Sequence, residues 1–312
     1  MAPLSPARSG AGADPVGKRY VRRGRPGYPS RLEHLFRPPG GIWVRGPGDP
    51  CQLRMIAIVG TRRATDYGRR MAHDLAFDLA GLGWTIVSGL ATGIDAAAHR
   101  GALAAEGGTI GVLGCGIDRV YPASNRHLYE ALARRGLLLS EFPPDERPTR
   151  LSFPRRNRII AALSQAVVVV QAGERSGALI TADHALDLGR EVLAVPGAAD
   201  QPASRGSNRL LRDGAGVVET AGHILEALGL ANGDPEARML QPDLFAAATP
   251  MPAGAPADRL RFHLAAGPAP LEDLARRSAL SVPEALAALS EMELGGVVAT
   301  LPGHRFELVG KR

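Results

Sequence analysis

Lysine is nearly absent from this chain. Only Lys18 and Lys311 occur among 312 residues, so almost all positive charge sits on guanidinium groups, whose planar forks suit phosphate oxygens. A G+C-rich genome produces the same bias. Cysteine is equally scarce. Cys51 and Cys115 stand outside any CxxC pair, which excludes a disulfide scaffold and a cysteine-rich zinc site; two reduced cytosolic thiols are the expectation. Aromatic residues make up 4%, so few rings are available to stack on bases or to fill a core. No window approaches the roughly 18 consecutive apolar residues of a membrane span. The longest, Ile159 to Val170, is broken by Ser164 and Gln165. No apolar signal segment opens the chain, and a cytoplasmic location is expected.

What is present is ordinary for a folded protein. Hydrophobic residues at 45% and charged residues at 22% exclude wholesale disorder. The length predicts about two domains, and 38 glycines with 25 prolines predict many loops. The net charge of +6 is unevenly placed. Residues 1–30 hold Arg8, Lys18, Arg19, Arg22, Arg23 and Arg25 against Asp14 alone. That Gly/Pro/Ala-rich stretch lacks periodicity and reads as a basic disordered tail, either gripping phosphates loosely or merely solvated.

From residue 31 a regular pattern begins. A short helix and a strand near Ile42 to Val44 lead into strands predicted at Met55–Gly60, Trp84–Gly89, Thr109–Gly114, Leu137–Ser140, Ala166–Ala172 and Glu191–Gly197. Helical spacing predicts helices between them at Tyr67–Gly81, Asp95–Glu106, Leu128–Arg135, Arg156–Leu163 and Ala178–Leu188, with a short one at Asn208–Arg212. Strands apolar on both faces, alternating with helices, predict an α/β fold: an extended Rossmann-like, doubly wound, mostly parallel sheet over residues 31–230. Residues 231–257 read as an Ala/Pro/Gly linker. Residues 258–312 then predict three helices (Arg259–Ala266, Leu271–Arg277, Val282–Leu294) and two short strands, the plan of a C-terminal winged-helix domain.

Parallel sheets bind ligands through the loops after their strands. Gly60, Thr61 and Arg62 follow the first strand and suit a phosphate, or equally a capped helix with a solvated arginine. Ser88, Gly89 and Gly93 line the next loop, where Asp95 fits an N-cap. Ser176, Gly177 and Thr181 surround a later helix start. The segment Pro196–Asn208 adds Arg205, Gly206, Ser207 and Asn208. Standard catalytic signatures are missing: no GxGxxG, no GxxxxGK(S/T), no HExxH and no GxSxG. His99 and His184 sit in helical segments and read as packing histidines. The sharpest feature is FPRRNRIIAALS. Arg155, Arg156 and Arg158 are expected at a helix start, where they oppose the helix dipole unless an anion offsets them.

In order and with close spacing, IAIVGTRRATDYG, SGLATGIDAAAH, GTIGVLGCGIDRVYPASNRHL, LLLSEFPP, FPRRNRIIAALS, SGALITADHALDLGREVLAVPG and SNRLLRDGA resemble the DNA-processing protein A (DprA/Smf) family. YPSRLEHLFRPPGGIWVRG is similar to the family's preceding segment, and the C-terminal module to its winged helix. The helical N-terminal domain of many members is expected to be absent, with the basic tail in its place. The resemblance implies a non-catalytic protein that binds single-stranded DNA without a cofactor. It implies protection of incoming strands in natural transformation, loading of the RecA recombinase, and a homodimer formed through the Rossmann-like domain. Carried over by motif, the implied DNA contacts are Arg62, the Ser88–Gly93 loop, Phe153, Arg155, Arg156, Asn157, Arg158 and the Ser176–Thr181 loop. Two departures stand out. Thr92 replaces an arginine common in the family, a lost phosphate contact unless Arg62 or Arg175 substitutes. Gln171 replaces a common glutamate.

Two other readings compete. A nucleotide-binding or nucleotide-hydrolysing enzyme, akin to the lysine-decarboxylase-like phosphoribohydrolases, needs PGGxGTxxE; VPGAADQPAS lacks its second glycine and its glutamate. A winged-helix transcription regulator needs a basic recognition helix, whereas Val282–Leu294 carries Glu284, Glu291 and Glu293 and no cation, which favours protein contacts over duplex reading. Three or four phosphate contacts predict a log–log salt slope of roughly −2 to −3 on single strands. The sequence-level expectation for Arg156→Ala with Arg158→Ala is single-strand affinity lowered about tenfold or more with the fold intact, read by anisotropy of a labelled oligonucleotide.

Overall fold

The apolar runs become strands because apolar side chains, β-branched in most of them and leucine in Leu137–Ser140, fill both faces. In the computed structural model, residues 17–51, 53–230, 255–264, 268–278, 280–301 and 305–309 are described, and they form two compact units. In the first, β3 (Met55–Gly60), β4 (Thr85–Ser88), β5 (Thr109–Val112), β6 (Leu137–Ser140), β7 (Ala166–Gln171), β8 (Glu191–Ala194) and the two-residue β9 (Gly216–Val217) pair in parallel. Antiparallel β2 (Gly41–Arg45) and β1 (Lys18–Arg22) complete one edge, giving the order β1-β2-β6-β5-β4-β3-β7-β8-β9.

Alternate residues face opposite helical layers, as the pleat requires. Met55, Ala57 and Val59 join the core beneath α4 (Ser152–Leu163), α5 (Gly177–Asp187) and α6 (Arg205–Arg212). Ile56 and Ile58 join the core beneath α1 (Asp66–Gly81), α2 (Ile94–Ala104) and α7 (Ala221–Ala227). Leu128 and Leu132 of α3 (Arg126–Arg135) pack with Ala96 of α2. The chain winds outward from β3 to β6. Then α4 carries it back to β7, which pairs with β3. Winding reverses between these two strands, so the crevice at their C-terminal ends is where a ligand fits this sheet.

Three sequence expectations change. The tail expected over residues 1–30 is structured from Lys18 onward. Val21 opposes Ile42 across the β1–β2 ladder and is buried. The cations there have internal partners: Arg19 donates to the Gly46 and Gly48 carbonyls, Lys18 pairs with Asp118, and Arg23 pairs with Glu33. Residues 1–16 lie outside the described residues. Second, α4 begins at Ser152, four residues before the expected Arg156. Thr149 and Ser152 exchange side-chain-to-backbone hydrogen bonds that open the helix, and Pro154 is tolerated in a first turn. Third, β9 and α7 are too short to carry a periodic signal.

The second unit comprises α8 (Pro256–Leu264), β10 (Ala269–Pro270), α9 (Leu271–Arg277), α10 (Val282–Leu294), β11 (Val298–Leu301) and β12 (Arg305–Leu308). The linker expected over 231–257 lies outside the described residues up to 254, and Pro256 already opens α8. A Ser281–Glu284 capping box starts α10. Leu260, Leu274, Leu289 and Phe306 fill the core between the helices and the sheet ordered β10-β12-β11. No helix among the described residues is long and apolar enough to cross a membrane.

His99 lies fully buried between α2 and the sheet. Thr109 Oγ1 donates to the Ile86 carbonyl (3.0 Å), so it must accept from His99 Nδ1 at 2.7 Å. Nε2 is left without a partner. Burial first, then the charges of Arg156 and Arg100, push this imidazole down to about 3. The folded protein therefore keeps His99 neutral, while the unfolded chain takes up a proton below about pH 6.5. Stability is lost as pH falls through that window, by at most about 1.4 kcal/mol per pH unit. Urea unfolding of wild type at pH 7 and pH 5 is expected to differ by about 2 kcal/mol more than that of His99→Asn; equal pH dependence contradicts this assignment.

Candidate functional site

At the β3/β7 reversal the strand ends open into a cleft of about 640 Å³. Its walls are the loop after β3, the loop after β4, the first turns of α4, and the start of α5. The loops hold one another. Thr61 N–H donates to the Gln171 carbonyl (2.7 Å), and Ile94 N–H donates to the Thr61 carbonyl (3.2 Å). Gln171 Oε1 accepts from Thr65 N–H (2.9 Å), and Gln171 Nε2 reaches Ser204 Oγ at 3.3 Å. Two glycines are obligatory here. A Cβ on Gly60 meets Ile94 Cγ1 at 2.5 Å, and one on Gly93, at φ +81°, meets the Thr61 carbonyl oxygen at 2.3 Å. Gly93 caps α2, so Asp95 does not take the expected capping position.

Asp95 turns inward instead. Its Oδ2 accepts from Gly89 N–H (3.1 Å) and Ala91 N–H (3.4 Å). Burial raises its pKa above the usual carboxylate value, and the charge of Arg156 together with these N–H donors opposes that rise. Arg156, 5% exposed, is the matching cation. Its Nη1 donates to the Gly89 carbonyl (2.6 Å) and to the Val112 carbonyl, and its Nε donates to Asn157 Oδ1 (3.1 Å). Only Nη2 has no internal acceptor. Arg158 donates to Glu141 (2.5 Å) and to the Arg37 carbonyl (3.0 Å). The dipole argument for these arginines therefore fails. They lie in the second turn of α4, beyond the reach of its N-terminal field, and protein groups supply the negative partners.

The residues expected from the sequence divide accordingly. Gly60, Thr61, Arg62, Phe153, Arg156, Asn157, Ser176, Gly177 and Thr181 line the cleft. Gly89 lines an adjoining recess of about 130 Å³ together with Arg62, Phe153 and Arg156. Ser88 is buried and donates to the Ile58 carbonyl (2.6 Å). Gly93, Arg155 and Arg158 do not line the cleft. Asn157 Nδ2 donates to the Gly177 carbonyl (3.0 Å), and Ser176 Oγ accepts from Ala178 N–H (3.3 Å), so both organise the start of α5. Thr92 braces a loop through the Arg62 carbonyl (3.4 Å). Of Arg62 and Arg175, Arg62 is the one in the cleft.

Arg63, Arg150, Tyr121 and Ile180 also line the cleft, beyond the residues that motif reasoning names. Arg63 adjoins Arg62 in sequence and was legible. Arg150 falls between the motifs, and Tyr121 lies inside the quoted GTIGVLGCGIDRVYPASNRHL but was not singled out there. The Arg62 guanidinium lies 4.8 Å from the Phe153 ring centroid, and Tyr121 tilts against Phe153 at 5.6 Å. Arg62, Arg63 and Arg150 are exposed, and no acidic side chain among the described residues pairs with them. Asp95 is the one carboxylate in the lining. The result is a positive cleft with a ring at its centre, built to take phosphates and a flat apolar face.

Residues 19–229 match the family model described as DNA recombination-mediator protein A, and residues 246–304 match that of the DprA winged helix domain. The chain is 39% identical to Protein Smf of Escherichia coli, over 88% of this chain and 74% of that one. It is 44% identical to the DNA processing protein DprA of Bacillus subtilis, over 64% and 68% respectively. It is similar in structure to DprA of Streptococcus pneumoniae, with TM-score 0.64, 36% identity, and coverage of 67% of this chain and 73% of that one. It is also similar to DNA processing protein A of Helicobacter pylori, whose structure concerns a single-stranded DNA binding mode. There the TM-score is 0.62 at 31% identity, over 68% and 95% of the two chains.

The internal partners of Arg156 change what its removal is expected to do. Arg156→Ala leaves Asp95 buried without its cation and two carbonyls without donors, an expected loss of about 3–5 kcal/mol in urea unfolding. Arg62→Ala and Arg63→Ala are expected within about 0.5 kcal/mol of wild type. The Arg156→Ala/Arg158→Ala pair is therefore expected to lower stability as well as affinity, and a wild-type unfolding midpoint for Arg156→Ala overturns this account.

Proposed function

Because the chain belongs to the DNA recombination-mediator protein A (DprA/Smf) family, we propose that it is a non-catalytic DNA-processing protein whose cleft at the β3/β7 reversal grips single-stranded DNA. The carrying observation is that Arg62, Arg63 and Arg150, which have no acidic partner among the described residues, line one cleft with Phe153, Arg62 lying over its ring. The guanidiniums meet backbone phosphates, while Phe153, flanked by Tyr121, offers a face on which one base stacks. The single-stranded DNA binding mode of the Helicobacter pylori relative supports the choice of a single strand over a duplex.

The finer role follows the family. The protein shields incoming strands in transformation and recombination, passes them to RecA, and works as a homodimer through the sheet domain. The exposed face of α10, which carries Glu284, Glu291 and Glu293 and lacks a cation, suits a protein partner better than a duplex. The competing hydrolase reading has no support in the cleft. Its lining lacks histidine, and its one carboxylate is held by backbone N–H groups.

Anisotropy of a labelled oligo-dT across a salt series tests the reading, with unlabelled duplex and mononucleotides as competitors. Wild type is expected to show a log–log slope of about −2, from three contacts at roughly −0.7 each. Arg62→Ala/Arg63→Ala/Arg150→Ala is expected to flatten that slope towards zero and to weaken binding at least tenfold or so. Phe153→Ala is expected to cost about 1–3 kcal/mol. Absence of single-strand binding at low salt, or displacement by duplex as readily as by single strand, would falsify it.

A further inference from the structure

The segment before β2 lies along α4. Its 3-10 turn at Ser30–His34 packs on that helix, with Leu32 fully buried. Two hydrogen bonds set the alignment. Arg31 Nη1 donates to the Leu163 carbonyl at the far end of α4 (2.7 Å), and Arg158 Nη1 donates to the Arg37 carbonyl midway (3.0 Å). Twelve residues of helix span about 18 Å, with the cleft at one end and Arg31 at the other.

This strip carries surface that the fold does not need. Phe36 is 95% exposed, with the Arg37 guanidinium 5.7 Å from its ring centroid. At the far end Arg190 Nη2 contacts His34 Nδ1 (3.3 Å), and Arg190 Nε is buried without a partner. Arg31 is held below the ordinary arginine value by burial and by the like charge of Arg190. No carboxylate among the described residues pairs with Arg31, Arg37 or Arg190. Glu33 is taken by Arg23, and Glu141 by Arg158. Two arginines that repel each other at one end of the strip, and an exposed ring further along it, are features that a phosphate chain with stacking bases relieves. Between this strip and the cleft lies Arg155, exposed over the Phe142 ring.

We infer that single-stranded DNA leaving the cleft continues past Arg155 along α4 to a second station, where a base stacks on Phe36 and phosphates meet Arg37 and the Arg31–Arg190 pair. The inference rests on the cleft reading and lengthens its footprint.

Two oligo-dT lengths separate the two readings, about six nucleotides to fill the cleft alone and about twenty to reach both stations. Wild type is expected to prefer the longer strand about tenfold and to show a steeper salt slope with it. Phe36→Ala/Arg37→Ala/Arg190→Ala is expected to remove that preference and reduce the long-strand slope by about 1, with short-strand affinity as the control. Phe36→Trp supplies a second readout, since base stacking quenches the new indole with the long strand and not with the short one. Wild-type binding of both strands with no change in the triple variant and no quenching overturns the second station alone. Binding of neither strand by wild type overturns the cleft reading and this one with it.

Discussion

A buried guanidinium organises this molecule. Arg156 reaches from the second turn of α4 to the carbonyls that end β4 and β5, and its charge opposes that of Asp95 at the start of α2. Those groups come from three separate stretches of sequence, around residues 89–95, 112 and 156. An aliphatic side chain of similar size supplies no donor to the carbonyls and no charge to the carboxylate. Because Asp95 in turn holds the N–H groups of Gly89 and Ala91, the loop after β4 has one conformation. The loop after β3 inherits its position through Thr61 and Gly93. The cleft is thus preformed, and its exposed arginines project from a frame that is already fixed.

That division of labour explains what the sequence conceals. Arg155, Arg156, Asn157 and Arg158 look alike in one dimension, four polar residues in a row. A helix turns each by about 100°, so neighbours face different surroundings. Arg155 reaches solvent, Arg156 the core, and Arg158 the Glu141 carboxylate in the loop after β6. The charge run was legible, but the individual fates were not, because they depend on Gly89, Val112 and Glu141, which are distant in the chain. The same holds at Lys18–Arg22. Composition favours disorder there, and only the partner strand at Gly41–Arg45 supplies the hydrogen bonds and the burial of Val21 that reverse it. Strands such as Met55–Gly60 and Leu137–Ser140 were legible to the residue, since being apolar on both faces is a local property. The cleft glycines were legible because a parallel sheet dictates where its loops converge, whereas Phe153 was named only through the family resemblance.

The scarcity of lysine also acquires a structural sense. Arg156 makes three directed hydrogen bonds from one planar group, and Arg62 lies over an aromatic face. An ammonium group, compact and strongly hydrated, does neither well. Framework and rim alike depend on the shape of guanidinium as much as on its charge.

The mutual pinning of the loops has a mechanical consequence. Walls braced through Gln171, Thr65, Thr61 and Ile94 resist deformation, which shifts the bending onto the guest. Duplex DNA keeps its direction over roughly 150 base pairs and resists a sharp turn into a recess of this size. A single strand is compliant on the scale of a few nucleotides. On the proposed reading, discrimination between the two forms of nucleic acid needs no inspection of base edges. Stiffness is the property being sorted, and the rigidity of the protein is what does the sorting.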